Sequence, residues 1–268
     1  MICVQRDKAI SVCLLASGSR GNAIYISDGS SHILIDAGLS GVELERRMQS
    51  RGLDPKQLDG IVVSHEHSDH IQAVGVLARR FKLPVYISDE TYTAARRQLG
   101  RIDTAHSFSC GAPFRIGNLE LHPFSISHDA SDPAGFTVTS NGTRIGIATD
   151  LGIATNMVKT HLQACAALII EANHDRTMLE QGPYPWPLKQ RIQSRSGHLS
   201  NDDTTRLLKE VLHEKLTHVI LGHLSEQNNT PEKARGTVGQ ALQGTRVSLS
   251  VAVQDCCSEL FTIKGPNT

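Results

Sequence analysis

The chain has 268 residues, enough for a hydrophobic core of its own, and its 27 Lys plus Arg balance 27 Asp plus Glu. With no net charge there is no long-range field to draw in a polyanion or an anionic membrane, so such a partner must be held by a local patch. No run approaches the roughly 18 apolar residues of a membrane span, and Arg6, Asp7 and Lys8 stand where a signal peptide needs its apolar stretch.

In chain order, β-branched runs bounded by Gly, Asn or Asp predict strands over 12–15, 23–27 and 33–36, a β meander. Leu44 and Met48, four apart, predict a helix that Gly52 stops, and a strand over 60–64 follows. Val74, Leu77 and Ala78 resume helical spacing before a strand over 85–87. Strands over 119–124 and 136–139 come next, and Asn141-Gly142 turns the latter into a strand over 143–149. The last strands, over 167–171, 219–221 and 247–251, alternate with helical patterns over 202–212 and 231–242. Segment 182–189, with its prolines and the sole Trp, reads as a rigid loop, either a surface connection or a substrate contact.

Two mixed β/α halves predict sheets covered by helices on their outer faces, a four-layer α/β/β/α sandwich folded as one domain over 1–268. The six cysteines, Cys3, Cys13, Cys110, Cys165, Cys256 and Cys257, form no C-x-x-C pair. They are expected to be reduced core thiols of a cytoplasmic protein.

The segment His65-Glu66-His67-Ser68-Asp69-His70 places four potential ligands within six residues, between a predicted strand and a predicted helix. Imidazole and carboxylate are the groups that zinc and related divalent ions take, and such a loop can turn alternate side chains toward two neighbouring points. A merely solvated polar loop would not need this density of ligands.

The H-x-H-x-D-H string resembles the signature of the metallo-β-lactamase superfamily, and the likeness extends over nearly the whole chain. That resemblance implies a role for Asp36, in Ile33-Leu34-Ile35-Asp36-Ala37-Gly38, in orienting a ligand histidine. It implies that His128, in Phe124-Ser125-Ile126-Ser127-His128-Asp129, completes a first metal site with His65 and His67. Asp150, in Gly146-Ile147-Ala148-Thr149-Asp150, would touch both ions, and His223, after Val219-Ile220-Leu221-Gly222, would hold the second with Asp69 and His70. Two divalent ions roughly 3.5–4 Å apart can hold a hydroxide between them and stabilise attacking and leaving oxygens, which implies hydrolysis.

Flanking motifs narrow the substrate to a phosphodiester. Ser17-Gly18-Ser19-Arg20-Gly21-Asn22 is a Gly/Ser turn whose backbone N–H groups can hold an anion, with Ser17, Ser19 and Asn22 as candidate substrate contacts. Glu171-Ala172-Asn173-His174-Asp175 and Gly197-His198-Leu199-Ser200-Asn201 resemble the Glu and His pair of tRNase Z-like phosphodiesterases, so His198 would protonate the leaving oxygen with Glu171 orienting it. Asp69, His198 and Glu171 are thus the expected catalytic residues. Lys189, Arg191 and Arg195 between these motifs could grip a phosphate backbone.

Together the motifs resemble the YycJ/WalJ-like exonuclease branch of the superfamily, with Arg20 standing where a small residue is expected. This branch implies 5′→3′ exonuclease action on duplex DNA in the cytoplasm, with two zinc or manganese ions. A small cyclic phosphodiester, RNA, or a non-catalytic metal-binding role remain the alternatives. The span between Asp150 and His223 leaves no room for the inserted domain of RNase J-type enzymes. Lactamases and thioesterases have no use for a Glu and His pair beside the leaving group.

Overall fold

The computed structural model describes residues 9–265, so Cys3 and the Arg6-Asp7-Lys8 segment lie outside the described residues. The first half runs β1 (Ala9–Ala16), β2 (Ala23–Ser27), β3 (His32–Ile35), α1 (Gly41–Ser50), β4 (Gly60–Val62), α2 (Ser68–Ile71), α3 (Val74–Phe81), β5 (Val85–Ile87), α4 (Asp89–Leu99) and β6 (Ala105–Ser107). After it come β7 (Phe114–Ile116), β8 (Leu119–Ser125), β9 (Ala134–Ser140), β10 (Thr143–Ala148), α5 (Asn156–Leu162), β11 (Ala167–Glu171), α6 (Arg176–Gln181) and α7 (Trp186–Ile192). The chain continues through α8 (Asn201–Val211), β12 (His218–Gly222), α9 (Pro231–Val238), β13 (Ser248–Val251) and β14 (Phe261–Lys264). Two seven-stranded sheets result, ordered β14-β1-β2-β3-β4-β5-β6 and β13-β12-β11-β10-β9-β8-β7.

Alternation along the strands creates the layers. In β1, Ile10, Val12 and Leu14 face the opposite sheet, while Cys13 and Leu15 join the helix-covered outer cluster with Leu44, Met48 and Leu77. In β11, Ala167 and Ile169 point to the inter-sheet core, and Leu168 and Ile170 pack with Val158, Leu207 and Leu208 of α5 and α8. Three apolar layers therefore separate helix, sheet, sheet and helix, the predicted α/β/β/α sandwich.

The predicted elements have direct counterparts. The meander is the antiparallel β1-β2-β3, and Asn141 and Gly142, at φ 51° and 82°, make the tight turn between β9 and β10. The 231–242 pattern divides into α9 and a following 3₁₀ turn, Gly239–Leu242. Segment 182–189 differs from the rigid-loop reading, since α7 starts at Trp186. Pro187 fits because the first turn of a helix has no intrahelical partner for its N–H groups. Trp186 is left 64% exposed. Among the described cysteines, Cys13, Cys165 and Cys257 are buried but Cys256 is exposed, so the core-thiol reading fails there. No helix among the described residues is long and apolar enough to cross a membrane.

The parallel strands β3 and β4, and β10, β11 and β12, present their C-terminal ends at one rim of the sandwich. Loops leave this rim at close quarters. Asn22 N–H donates to the Asp69 carbonyl and Ala37 N–H to the His70 carbonyl, which pins the histidine-rich loop against the first sheet. Gly38 lies so close that a Cβ there would sit 1.6 Å from the Asp69 oxygen. Gly38→Ala should therefore lower stability by at least about 2 kcal/mol, measured by urea unfolding, because backbone must move to relieve the overlap.

Candidate metal centre

Three residues at strand ends depart from ordinary backbone geometry. Asp36, Asp150 and His223 follow β3, β10 and β12 and have φ of 61°, 58° and 54°. A left-handed non-glycine residue costs about 1–3 kcal/mol and persists only where its surroundings over-determine it. Each is held that way. His223 N–H donates to Ser17 Oγ at 2.7 Å and its carbonyl accepts from Asn173 Nδ2 at 3.0 Å. Leu151 N–H, beside Asp150, donates to Glu171 Oε2 at 3.0 Å. Asp36 N–H donates to the Val62 carbonyl at 2.8 Å.

The side chains these turns deliver meet the histidine-rich loop. His65 Nε2 lies 3.1 Å from His67 Nδ1, which in turn lies 3.3 Å from His128 Nε2. Asp69, His70 and His223 form a second group, with His70 Nε2 3.5 Å and His223 Nε2 3.8 Å from Asp69 Oδ2. Asp150 stands between them. Its Oδ1 is 3.8 Å from His128 Nε2 and its Oδ2 is 3.4 Å from His70 Nε2. Within each group the candidate ligand atoms lie within 4.8 Å of one another.

Neighbouring groups fix which ring nitrogen is free. Asp36 accepts from Ser64 N–H and Oγ–H and from His70 Nδ1 at 2.7 Å, leaving His70 Nε2 for a ligand. Ser64 Oγ is 2.9 Å from His65 Nδ1, so His65 Nε2 turns inward. Glu171, with no exposed surface, accepts from His223 Nδ1 at 2.7 Å and His198 Nδ1 at 2.8 Å, and from Leu151 and Leu199 N–H. Glu171 is thus fully committed as an acceptor, although it also lies within ligand distance of Asp150, His198 and His223.

These residues fit divalent metal. Asp150 Oδ2 and His223 Nε2 are buried without a hydrogen-bond partner, as a cation between them would require. Electrostatics agrees. Burial opposes charge on His223, but the neighbouring carboxylates of Asp150, Asp69 and Glu171 hold its pKa up at about 10. Burial likewise opposes charge on His70, which Asp150 and Asp36 nevertheless keep well above the ordinary range. Burial would raise Asp150, yet His223 and His70 hold it well below the carboxylate range. Burial and then His70 depress His65. In the metal-free chain, protons on His70 and His223 supply the positive charge that cations would bring.

Other expected site residues separate on inspection. Ser19 and Arg191 line a cleft of about 240 Å³ over the cluster, together with His198 and Tyr184. Arg191 Nε donates to Asp129 Oδ2 at 2.6 Å, a tie across the cleft mouth with no sequence signal. Ser17 and Asn22 require correction as substrate contacts. Both are buried, Ser17 holding His223 as above and Asn22 donating to the Gly18 carbonyl and lying 3.0 Å from His70 Nε2. Lys189 also requires correction, because its Nζ caps the Glu180 carbonyl at 2.7 Å and it is not among the cleft-lining residues. Arg20 projects outward to Glu226 and Asp255, which explains how a long residue is accommodated in that loop. Ser64 and Asn173, not singled out from sequence, hold the centre. Ser64 precedes the first histidine and Asn173 lies inside a quoted motif, so position was the available signal.

Metal uptake should release protons near neutrality. His223 keeps its proton up to about pH 10, so affinity should rise with pH below that point. Calorimetry in buffers of different ionisation enthalpy checks this, and a buffer-independent heat contradicts it. Asp36→Ala, which frees His70 to rotate, should weaken metal binding about 10–100-fold in a chelator competition.

Residues 31–223 match the profile of the Beta-lactamase superfamily domain. The chain is 39% identical over 232 residues to exodeoxyribonuclease YycJ of Bacillus anthracis, covering 86% of this chain and 88% of that protein. It is 36% identical over 242 residues to exodeoxyribonuclease WalJ of Streptococcus pneumoniae, covering 89% and 90%. Its fold is similar to that of the metallo-β-lactamase fold protein YhfI from Bacillus subtilis, with a TM-score of 0.72 and 16% identity over 94% of this chain and 99% of that one. With its ligand-rich loop at the rim of an α/β/β/α sandwich, the chain belongs to the metallo-β-lactamase superfamily, among relatives of the YycJ and WalJ type.

Proposed function

We propose that this protein is a metal-dependent exodeoxyribonuclease that removes nucleotides from the 5′ end of duplex DNA, with two zinc or manganese ions held by His65, His67, Asp69, His70, His128, Asp150 and His223. The observation that carries a phosphodiester reading is the Glu171–His198 pair, 2.8 Å apart, with His198 on the wall of the cleft over the ligand cluster and Glu171 buried behind it. The names of the 39% and 36% identical relatives support DNA as the polymer.

Bound divalent ions would supply an activated water and offset charge developing on the phosphate. The chain's residues do the rest. A carboxylate only accepts, so Glu171 fixes His198 with Nδ1–H toward it and Nε2 free. Coulombic and hydrogen-bonding contributions from His198 and His223 outweigh burial and hold Glu171 down at about 2, so it stays anionic through the neutral range. As the new oxygen–phosphorus bond forms and the old one breaks, His198 gives its Nε2 proton to the departing oxygen. Arg191 and Ser19, also on the cleft wall, would meet the phosphate.

Incubating metal-loaded protein with end-labelled duplex DNA, single-stranded DNA, RNA and a cyclic phosphodiester tests the proposal. Release of mononucleotides from the 5′ end of the duplex is expected. Inert DNA with hydrolysis of the cyclic ester would instead favour a small-substrate enzyme, which the neutral net charge also suits. His198→Ala should lower kcat on DNA about 10²–10⁴-fold and affect bis(p-nitrophenyl) phosphate far less, because that leaving group departs without a proton. Equal losses on both substrates would contradict a general-acid role.

A further inference from the structure

His198 separates two cavities. Besides the metal-centre cleft it lines a second one of about 420 Å³, walled by Gly152, His174, Arg176, Gln193, Ser194 and Arg195 among others. None of the seven residues proposed to hold the metal ions contributes to it. Its volume lies within the roughly 300–1,000 Å³ of small-molecule sites.

The wall is polar and partly uncommitted. His174 is 3% exposed, and its buried Nδ1 has no hydrogen-bond partner. Arg195 is exposed, and its guanidinium has no partner among the described residues. Asp203, also on the wall, is engaged by Arg176 and Arg206. Arg176 further donates to Ser200 Oγ, so it is fixed in place. The free charges are therefore Arg195 and the exposed carboxylate of Glu180, accompanied by the amide of Gln193 and the hydroxyl of Ser194. A long strand backbone is best matched by a uniformly basic trough. One guanidinium, one carboxylate and neutral hydrogen-bonding groups instead match a single nucleotide, with a phosphate at one end and a polar sugar and base at the other.

Position supplies the remaining step, which rests on the reading of His198 as the acid for the leaving oxygen. Whatever is bonded to that oxygen must extend past His198, away from the ligand cluster. In removal from a 5′ end, the water oxygen bonds to phosphorus and the bond to the 3′-oxygen of the terminal nucleotide breaks. That oxygen takes the His198 proton, so the terminal nucleotide is the leaving group. We propose that the second cavity receives this 5′-terminal nucleotide, with its 5′-phosphate at Arg195, and that its limited size confines the product to one nucleotide.

The full chain, stripped of metal by a chelator, is titrated with a deoxynucleoside 5′-monophosphate in a calorimeter, a measurement independent of catalysis. Saturable binding is expected, weakened at least tenfold by Arg195→Ala, partly restored by Arg195→Lys, and abolished by Ser194→Trp, which fills the cavity. Arg191→Ala, in the other cleft, should leave it intact. The metal-loaded Arg195→Ala variant should show a raised KM for 5′-phosphorylated duplex and no preference over a 5′-hydroxyl end. Loss of nucleotide binding in Arg191→Ala but not in Arg195→Ala, or no binding at all, overturns the proposal. Nucleotide binding that follows Arg195 while duplex DNA stays intact would overturn the nuclease reading and retain the pocket.

Discussion

Glu171 has no surface in contact with water, so protein donors must satisfy its carboxylate. Two imidazoles and two backbone amides do so. One imidazole belongs to a candidate metal ligand and the other to the proposed acid. The amides belong to Leu151 and Leu199, the residues that directly follow Asp150 and His198. A single buried group thereby sets the distance between the ligand cluster and His198. Removing it would leave two imidazoles without orientation and two amides without acceptors, a loss larger than any one contact.

The same economy governs Asp36 and Asp150. Asp36 orients His70 directly and His65 through Ser64, while Asp150 lies between the two ligand groups. Buried carboxylates in such number are tolerated because positive charge is always at hand, as protons on His70 and His223 or as cations replacing them. The strained backbone at three strand ends belongs to this arrangement. Left-handed geometry turns each side chain back over its sheet, and hydrogen bonds from other elements hold it there.

Much of the centre was legible because it is local. Four ligand candidates sit in six consecutive residues, and His128, Asp150 and His223 each follow an apolar run that could be read as a strand. The layers were legible because period-two alternation survives in β1 and β11. What escaped depends on tertiary neighbours. Ser17 and Asn22 looked like anion-binding turn residues, yet they are buried under the rim and brace His223 and His70. Lys189 turned to a helix carbonyl rather than the cleft, and nothing in a string of letters distinguishes those two fates. Prolines around Trp186 suggested a loop, although their positions suit the first turn of a helix.

Trp186 has a consequence of its own. It is the chain's sole tryptophan, largely exposed, and it lies between Tyr184 and Leu188, both of which line the cleft. Indole emission shifts and brightens when water is excluded from the ring. The tryptophan fluorescence of this protein is therefore a single-site signal from the segment that carries two cleft-lining residues, and it needs no attached label.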